Sequence, residues 1–274
     1  MTHCFKREVL HIEGETLFKD IDACYVITMT NSTRRENYMK QLKTYKPFHK
    51  INIIHNKGFK KCNKEAWVTN TVKDITDIYG RIFIECLHLQ YDKVLIFEDD
   101  FFFTQSFDNL KKITNDIEMF LNNHPNFMTY NLGAIPYFMF PMNKNHFLYK
   151  GYLAQSVVYS SQYMKKYIVD YKNRVCLSDM FWNKYYENYT YSKAICFQLF
   201  PKTENSNNWF KFLGIFDSNL LLQTLFQADK THENLFPFLY TFSKTWFVLI
   251  IILIIIKYKV SSIKYQIKII SKYK

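Results

Sequence analysis

Short runs of β-branched and aromatic residues alternate with helical periodicities over roughly the first two hundred positions. Ala23–Met29 reads ACYVITM and predicts a strand. The polar stretch Thr33–Tyr45 predicts a helix, with Ser32 or Thr33 as its cap. Ile51–His55 is a second strand by the same pattern. From Val72 the apolar positions are Val72, Ile75, Tyr79, Ile82, Cys86 and Leu89, a spacing that lays one face along a long helix. Lys93–Phe97 is a buried-type strand that runs straight into Glu98, Asp99 and Asp100. Ser106 precedes a helical pattern carrying Leu110, Ile113, Ile117 and Leu121. Asn126–Leu132 and Tyr152–Tyr159 predict strands. Ser160 or Ser161 caps a helix with Met164, Tyr167 and Tyr171 inward. Ser178 is the expected cap of a helix over Asp179–Tyr186, and Ala194–Phe200 the last strand before a loop at Pro201–Asn208. Strand, helix, strand, helix is the pattern of an α/β domain: a mixed sheet with helices on its faces.

The pattern changes near the C-terminus. Thr245–Ile256 holds twelve residues without a charge, and extending back to Phe236 gives 21 mostly apolar residues interrupted by Lys244. A membrane span takes about 20 apolar residues, so 236–256 is a borderline one. In the stretch 257–274, Val260, Ile263, Ile267 and Ile270 share one helical face while Lys264, Lys268 and Lys272 share another. That is a basic amphipathic helix, suited to an anionic membrane surface. No signal peptide is visible in Met1–Asp22, so the main domain is expected on the cytosolic side with the lysine tail. Both ends on one side favour a surface-lying or re-entrant anchor over a span. The expected organisation is a 1–20 extension, a 21–235 catalytic-type domain, the 236–256 hydrophobic segment and the 257–274 basic tail.

Composition changes this picture in two places. The net charge of +12 resembles that of a nucleic-acid binder, yet six of the excess lysines lie in the last 18 residues, leaving +6 on the rest. No aromatic-basic RNA motif or helix-turn-helix pattern accompanies it, so no nucleic-acid partner is expected. The six cysteines (Cys4, Cys24, Cys62, Cys86, Cys176, Cys196) are far apart, with no CxxC pair and no His at ligand spacing. That speaks against a zinc site and suits reduced thiols in a core.

The chemistry concentrates at Val94-Leu-Ile-Phe-Glu-Asp-Asp-Phe-Phe-Phe103. In open α/β sheets ligands bind beyond the carboxyl ends of the strands. Adjacent carboxylates repel one another unless a cation neutralises them. Their hard oxygens suit Mg²⁺ or Mn²⁺, which also take phosphate oxygens as ligands.

A strand ending in Glu-Asp-Asp before a helix resembles the metal-binding DxD-type motif of glycosyltransferases with the nucleotide-sugar-binding GT-A fold. The wider order is similar to glycosyltransferase family 25, the lipopolysaccharide and procollagen-galactosyltransferase type. It rests on Cys24-Tyr-Val-Ile-Thr-Met-Thr-Asn-Ser-Thr-Arg-Arg35, Gly151–Ser161, Ser178-Asp179 and Phe200–Ser206, over residues 20–210. The family's segment before the long helix is replaced here by Lys60-Lys-Cys-Asn-Lys64. Few glycines and many Lys, Asn and Ile give a composition similar to the glycosyltransferases of large DNA viruses. The resemblance implies a metal-dependent glycosyltransferase, a membrane-attached viral hexosyltransferase of the infected host cell. Its donor would be a nucleotide-sugar such as a UDP-sugar, its acceptor a hydroxyl of a glycan, lipid or protein. Glu98, Asp99 and Asp100 would hold the Mn²⁺ or Mg²⁺. Thr28, Arg34, Arg35 and Asp99 would bind the donor, and Asp179, or second Glu204, would act as general base. The competing expectation is a membrane-tethered GT-A-like domain that binds without catalysing.

Overall fold

The computed structural model describes residues 3–175, 181–198, 211–212, 216–217 and 235–272. A nine-stranded mixed sheet forms its centre. Its strands are β1 (Phe5–His11), β2 (Ala23–Met29), β3 (Lys50–Asn56), β4 (Lys93–Glu98), β6 (Thr129–Asn131), β7 (Ile135–Pro141), β8 (His146–Tyr152), β9 (Ser156–Ser160) and β10 (Asn188–Tyr191), in the order β1-β3-β2-β4-β9-β6-β10-β8-β7. β3, β2 and β4 are parallel, and β9 runs antiparallel between β4 and β6. The parallel strands are apolar on both sides because both faces are covered. Leu95 and Phe97 of β4 pack with α1 (Arg35–Tyr45) and α3 (Phe107–Asn123) on one face. Val94 and Ile96 pack with α2 (Thr71–His88) and α4 (Ser161–Lys172) on the other. The result is a mixed α/β domain with a central sheet flanked by helices.

Most predicted elements stand where the periodicity put them. Ser160 caps α4 by accepting the Tyr163 amide at 3.1 Å. In α2, Ile78, Tyr79, Ile82, Phe83 and Cys86 turn inward, while Leu89 and His88 lie at the exposed end. α1 begins two residues later than expected: Arg34 occupies its cap position, and the Ser32 hydroxyl accepts the Arg34 amide at 3.2 Å instead of capping the helix. The expected strand at 152–159 is two pieces, because Leu153 takes a left-handed backbone (φ 82°) that ends β8 before β9 begins. The helix expected to reach Tyr186 is a single 3₁₀ turn at Phe181–Lys184, followed by β10; residues 176–180 lie outside the described residues.

Two corrections concern the N-terminal region. Residues expected as an extension are built into the sheet: β1 pairs antiparallel with β3 from Phe5–Asn56 to His11–Lys50. Cys4 and Cys62, expected to be reduced, form a disulfide that ties this edge strand to the loop after β3. Cys24, Cys86 and Cys196 are free and buried, as the core reading expected. The same loop is held by a buried ion pair. Lys64 donates to Asp74 in the first turn of α2 and to Asn56 Oδ1 at 2.8 Å, and its ammonium lies 4.1 Å from the centre of the Phe5 ring.

The C-terminal helix runs unbroken over Leu235–Lys272. Its first turns belong to the domain. Tyr240 and Ser243 are buried, the Ser243 hydroxyl donates to the Pro136 carbonyl on β7, and the Tyr240 hydroxyl lies 3.3 Å from Thr190 Oγ1. Lys244, expected inside a lipid-facing segment, instead donates to the Ser192 carbonyl and sits 4.9 Å above the Phe147 ring. Among the described residues, no helix is long and apolar enough to cross a membrane.

Candidate functional site

The carboxyl ends of β2 and β4 lie side by side, with Ile27 paired to Glu98, so Thr28 and Asp99 become neighbours one step beyond the ladder. The Thr28 hydroxyl donates to Asp99 Oδ2 at 2.6 Å. The chain then turns through residues 30–34, and Arg34 at the mouth of α1 reaches Asp99 Oδ1 at 2.5 Å. Thr28 and Asp99 are buried, while the Arg34 side chain keeps about a fifth of its surface open (21%). Three of the expected donor-site residues therefore form one hydrogen-bonded unit.

Strand alternation decides the fate of the three acids. Successive side chains of a strand point to opposite faces. Glu98 follows Val94 and Ile96 to the α2 face, where its Oε1 accepts the Tyr79 hydroxyl at 3.1 Å. Asp99 follows Leu95 and Phe97 to the α1 side. Asp100 lies past the strand and is buried. Its Oδ2 accepts Gln198 Nε2 at 3.0 Å, while Oδ1 has no hydrogen-bond partner among the described residues. The expected convergence of all three carboxylates is thus not what the backbone builds. Among the described residues, the one group of three His, Cys, Asp or Glu with ligand atoms within 4.8 Å is His3, Cys4 and Cys62. This small cluster is capable of coordinating a metal ion once its disulfide is reduced, since the thiolate is the ligand.

Electrostatics single out Asp100. Burial pushes its carboxyl up from 3.8 to about 6; the Arg34 charge opposes this, and neighbouring Asp99 reinforces it. Behind it lies a polar floor. β11 (Cys196–Gln198) pairs antiparallel with β5 (Phe101–Phe103), and this ribbon brings Gln198 to the acid. The ribbon in turn crosses under Leu132–Ala134: the amides of Ile195 and Cys196 both donate to the Leu132 carbonyl, at 2.8 and 3.1 Å. Gly133 permits this crossing, because a Cβ there would stand 1.5 Å from the Cys196 carbonyl oxygen. Gln198 Oε1 and Gln155 Oε1 are buried and, among the described residues, unpartnered. Buried polar atoms in native proteins have partners, so this set calls for water, an ion or a ligand.

The remaining expected residues fall elsewhere. Arg35 points away from Asp99 and forms a two-pronged pair with Glu8 at 2.8 and 3.0 Å. Asp179 and Glu204 lie outside the described residues. Lys57, Lys60 and Lys61 are exposed on the loop after β3. Sequence reasoning missed Gln198 and Tyr79 as partners of the acids. The signals were a polar residue inside the apolar run Ala194–Phe200, and a tyrosine hydroxyl on an otherwise apolar helix face.

Comparison with protein families and with curated proteins finds no match. Among solved structures, the chain is similar to the crystal structure of a glycosyltransferase involved in the glycosylation of the major capsid of PBCV-1. The identity is 11%, the TM-score 0.32, and the match covers 56% of this chain and 67% of that one.

Proposed function

We propose that the chain is a glycosyltransferase that moves a sugar from a nucleotide-sugar donor, a UDP-sugar, to an acceptor hydroxyl. The single observation that supports this is the Thr28–Asp99–Arg34 unit beside the buried, half-partnered Asp100 at the carboxyl edge of parallel strands. This is the edge where α/β sheets bind ligands. The partly open Arg34 guanidinium is a fixed cation for the donor's diphosphate. Thr28 and Asp99 hold it in place.

The residues also fit a divalent cation, though not through three carboxylates. Asp100 Oδ1 and Gln198 Oε1 are hard oxygens without partners among the described residues, and Mg²⁺ needs one or two carboxylates when water and phosphate complete its shell. Bound there, a Mn²⁺ or Mg²⁺ would neutralise charge building on the leaving diphosphate. The raised pKa of Asp100 means that its carboxylate is costly when alone and suited to a cation. By the resemblance, Asp179 or Glu204 serves as the base that accepts the acceptor's proton.

Nucleotide-sugar hydrolysis and UDP binding with and without Mn²⁺ test the reading, using wild type, Asp100→Asn and Arg34→Leu. Turnover lost in both variants supports it. No binding and no turnover across a panel of nucleotide-sugars would sink it. The second reading, a GT-A-like domain that binds without catalysing, is favoured by one fact: both Asp99 oxygens are already engaged. Binding without turnover across that panel is its signature.

A further inference from the structure

We propose that the C-terminal helix anchors the domain by inserting its apolar stretch, Thr245–Ile256, into a single leaflet of an anionic membrane, without crossing it. The first turns are committed to protein. Tyr240, Ser243 and Lys244 lie three and one residues apart, on one helical face, and that face is seated on β7 and its neighbours. They cannot leave for lipid without stripping Lys244 of the Ser192 carbonyl and the Phe147 ring. Burial already lowers the Lys244 pKa, so this ammonium depends on its protein partners.

Beyond Lys244 the helix leaves the sheet. Val248, Leu249 and every residue from Ile251 to Ile256 are exposed, at 44 to 63%. A helical stretch that is apolar all round, with these side chains left open among the described residues, has its natural surroundings in a hydrocarbon phase. Its length fixes how far it goes. Thr245–Ile256 is twelve residues, or about 18 Å at 1.5 Å each. A hydrocarbon core is about 30 Å thick, so the segment is too short to cross it, and lying tilted it stays within one leaflet. Lys257 and Lys259 then follow, exposed, and the helix continues through Lys264, Lys268 and Lys272 without an acid. Five lysines in sixteen residues complement an anionic headgroup layer, each adding to binding near the surface. A second copy of the same helix has the same sign of charge and lacks that complementarity. The arrangement is a helix that dips its apolar stretch and returns its basic stretch to the same interface by tilting or bending in the membrane plane.

The test is flotation of the full-length protein with vesicles of phosphatidylcholine alone and with about a third phosphatidylserine, the range in which polybasic segments bind. Wild type floats with the anionic vesicles, and 0.5 M salt (roughly a 4 Å screening length) reduces that fraction at least about tenfold. Ile252→Asp with Ile255→Asp, both at exposed positions, lowers vesicle partitioning by at least about a hundredfold and leaves the thermal unfolding curve unchanged. Depth is read separately with Lys272→Cys in a Cys176→Ser background. An impermeant maleimide added outside the vesicles labels the thiol if the tail stays on the domain's side. Protection that is relieved only by detergent shows a span and overturns the single-leaflet arrangement. Wild type remaining with the unfloated fraction in both compositions overturns the proposal. So does concentration-dependent self-association abolished by the Asp pair without any flotation, which would make a second copy the occupant.

Discussion

Replacing Asp100 by Asn separates what this acid costs the fold from what it gives the site. The side chain is buried, with a folded pKa of about 6 against 3.8 for the ordinary carboxyl. A group whose folded pKa is raised favours the folded state fully below its unfolded pKa and loses that contribution as pH rises through the folded value. About two units correspond to about 3 kcal/mol of stability that is fully present only below pH 3.8, of which about 2.5 kcal/mol is lost between pH 4 and pH 8. Asn has nearly the same shape, keeps a carbonyl oxygen for Gln198 Nε2 and carries no charge at any pH. Urea unfolding in EDTA at pH 4, 6 and 8 reads the difference. The Asp100→Asn variant should be about equal to wild type at pH 4 and more stable by roughly 2–3 kcal/mol at pH 8. The same variant should lose Mn²⁺-dependent UDP binding, measured by calorimetry at pH 8. A variant no more stable than wild type at pH 8, or a gap that does not change between pH 4 and 8, would refute the electrostatic reasoning.

Three further outcomes follow from particular contacts. Arg34→Leu leaves Asp99 buried with only the Thr28 hydroxyl, and should cost about 3–5 kcal/mol at neutral pH in chemical denaturation; Arg34→Lys should recover part of it, because the charge returns without the planar fork. Opening the Cys4–Cys62 bridge, whose partners are 58 residues apart in sequence, removes a chain-entropy constraint worth about 4 kcal/mol; Cys4→Ser and wild type with reductant should show the same loss in urea midpoint, and unequal losses would point to a role beyond the cross-link. Gly133→Ala drives a Cβ into the Cys196 carbonyl, a backbone atom that cannot swing aside. It should cost more than about 4 kcal/mol in thermal or chemical unfolding and shift the Asp100–Gln198 contact. A melting point within a few degrees of wild type would show that the crossing is looser than described.

Much of the sheet was legible because its signals are local. Ala23–Ile27 and Val94–Phe97 are apolar without interruption, which fits strands covered on both faces, and β2 and β4 sit at those positions. The helix faces of α2, α3 and α4 followed from spacing alone, since the 3.6-residue repeat is a property of the chain itself. β1 was missed because FKREVLH puts three charged residues in a row at a mostly exposed edge, which breaks the alternation of apolar and polar positions that marks a strand. The β7–β8 hairpin was missed because its register is set by pairing across the sheet, not by a run of apolar residues.

The site divides along the same line. The sequence by itself placed Thr28, Asp99 and Asp100 at strand ends and set Arg34 just past the first strand, because strand–turn–helix order fixes those positions. It also located the apolar and basic halves of the C-terminal helix. Only the tertiary structure decided that Glu98 turns to the opposite face, since facing depends on which side of β4 each core occupies. Only it joined Gln198 to Asp100 across 98 residues, through a strand pairing that no local pattern encodes. Only packing on β7 showed that Lys244 belongs to the domain. That contact takes Lys244 and the turn before it out of the apolar stretch, leaving Thr245–Ile256. Composition and periodicity record what a segment can do, whereas partners distant in sequence determine what it does.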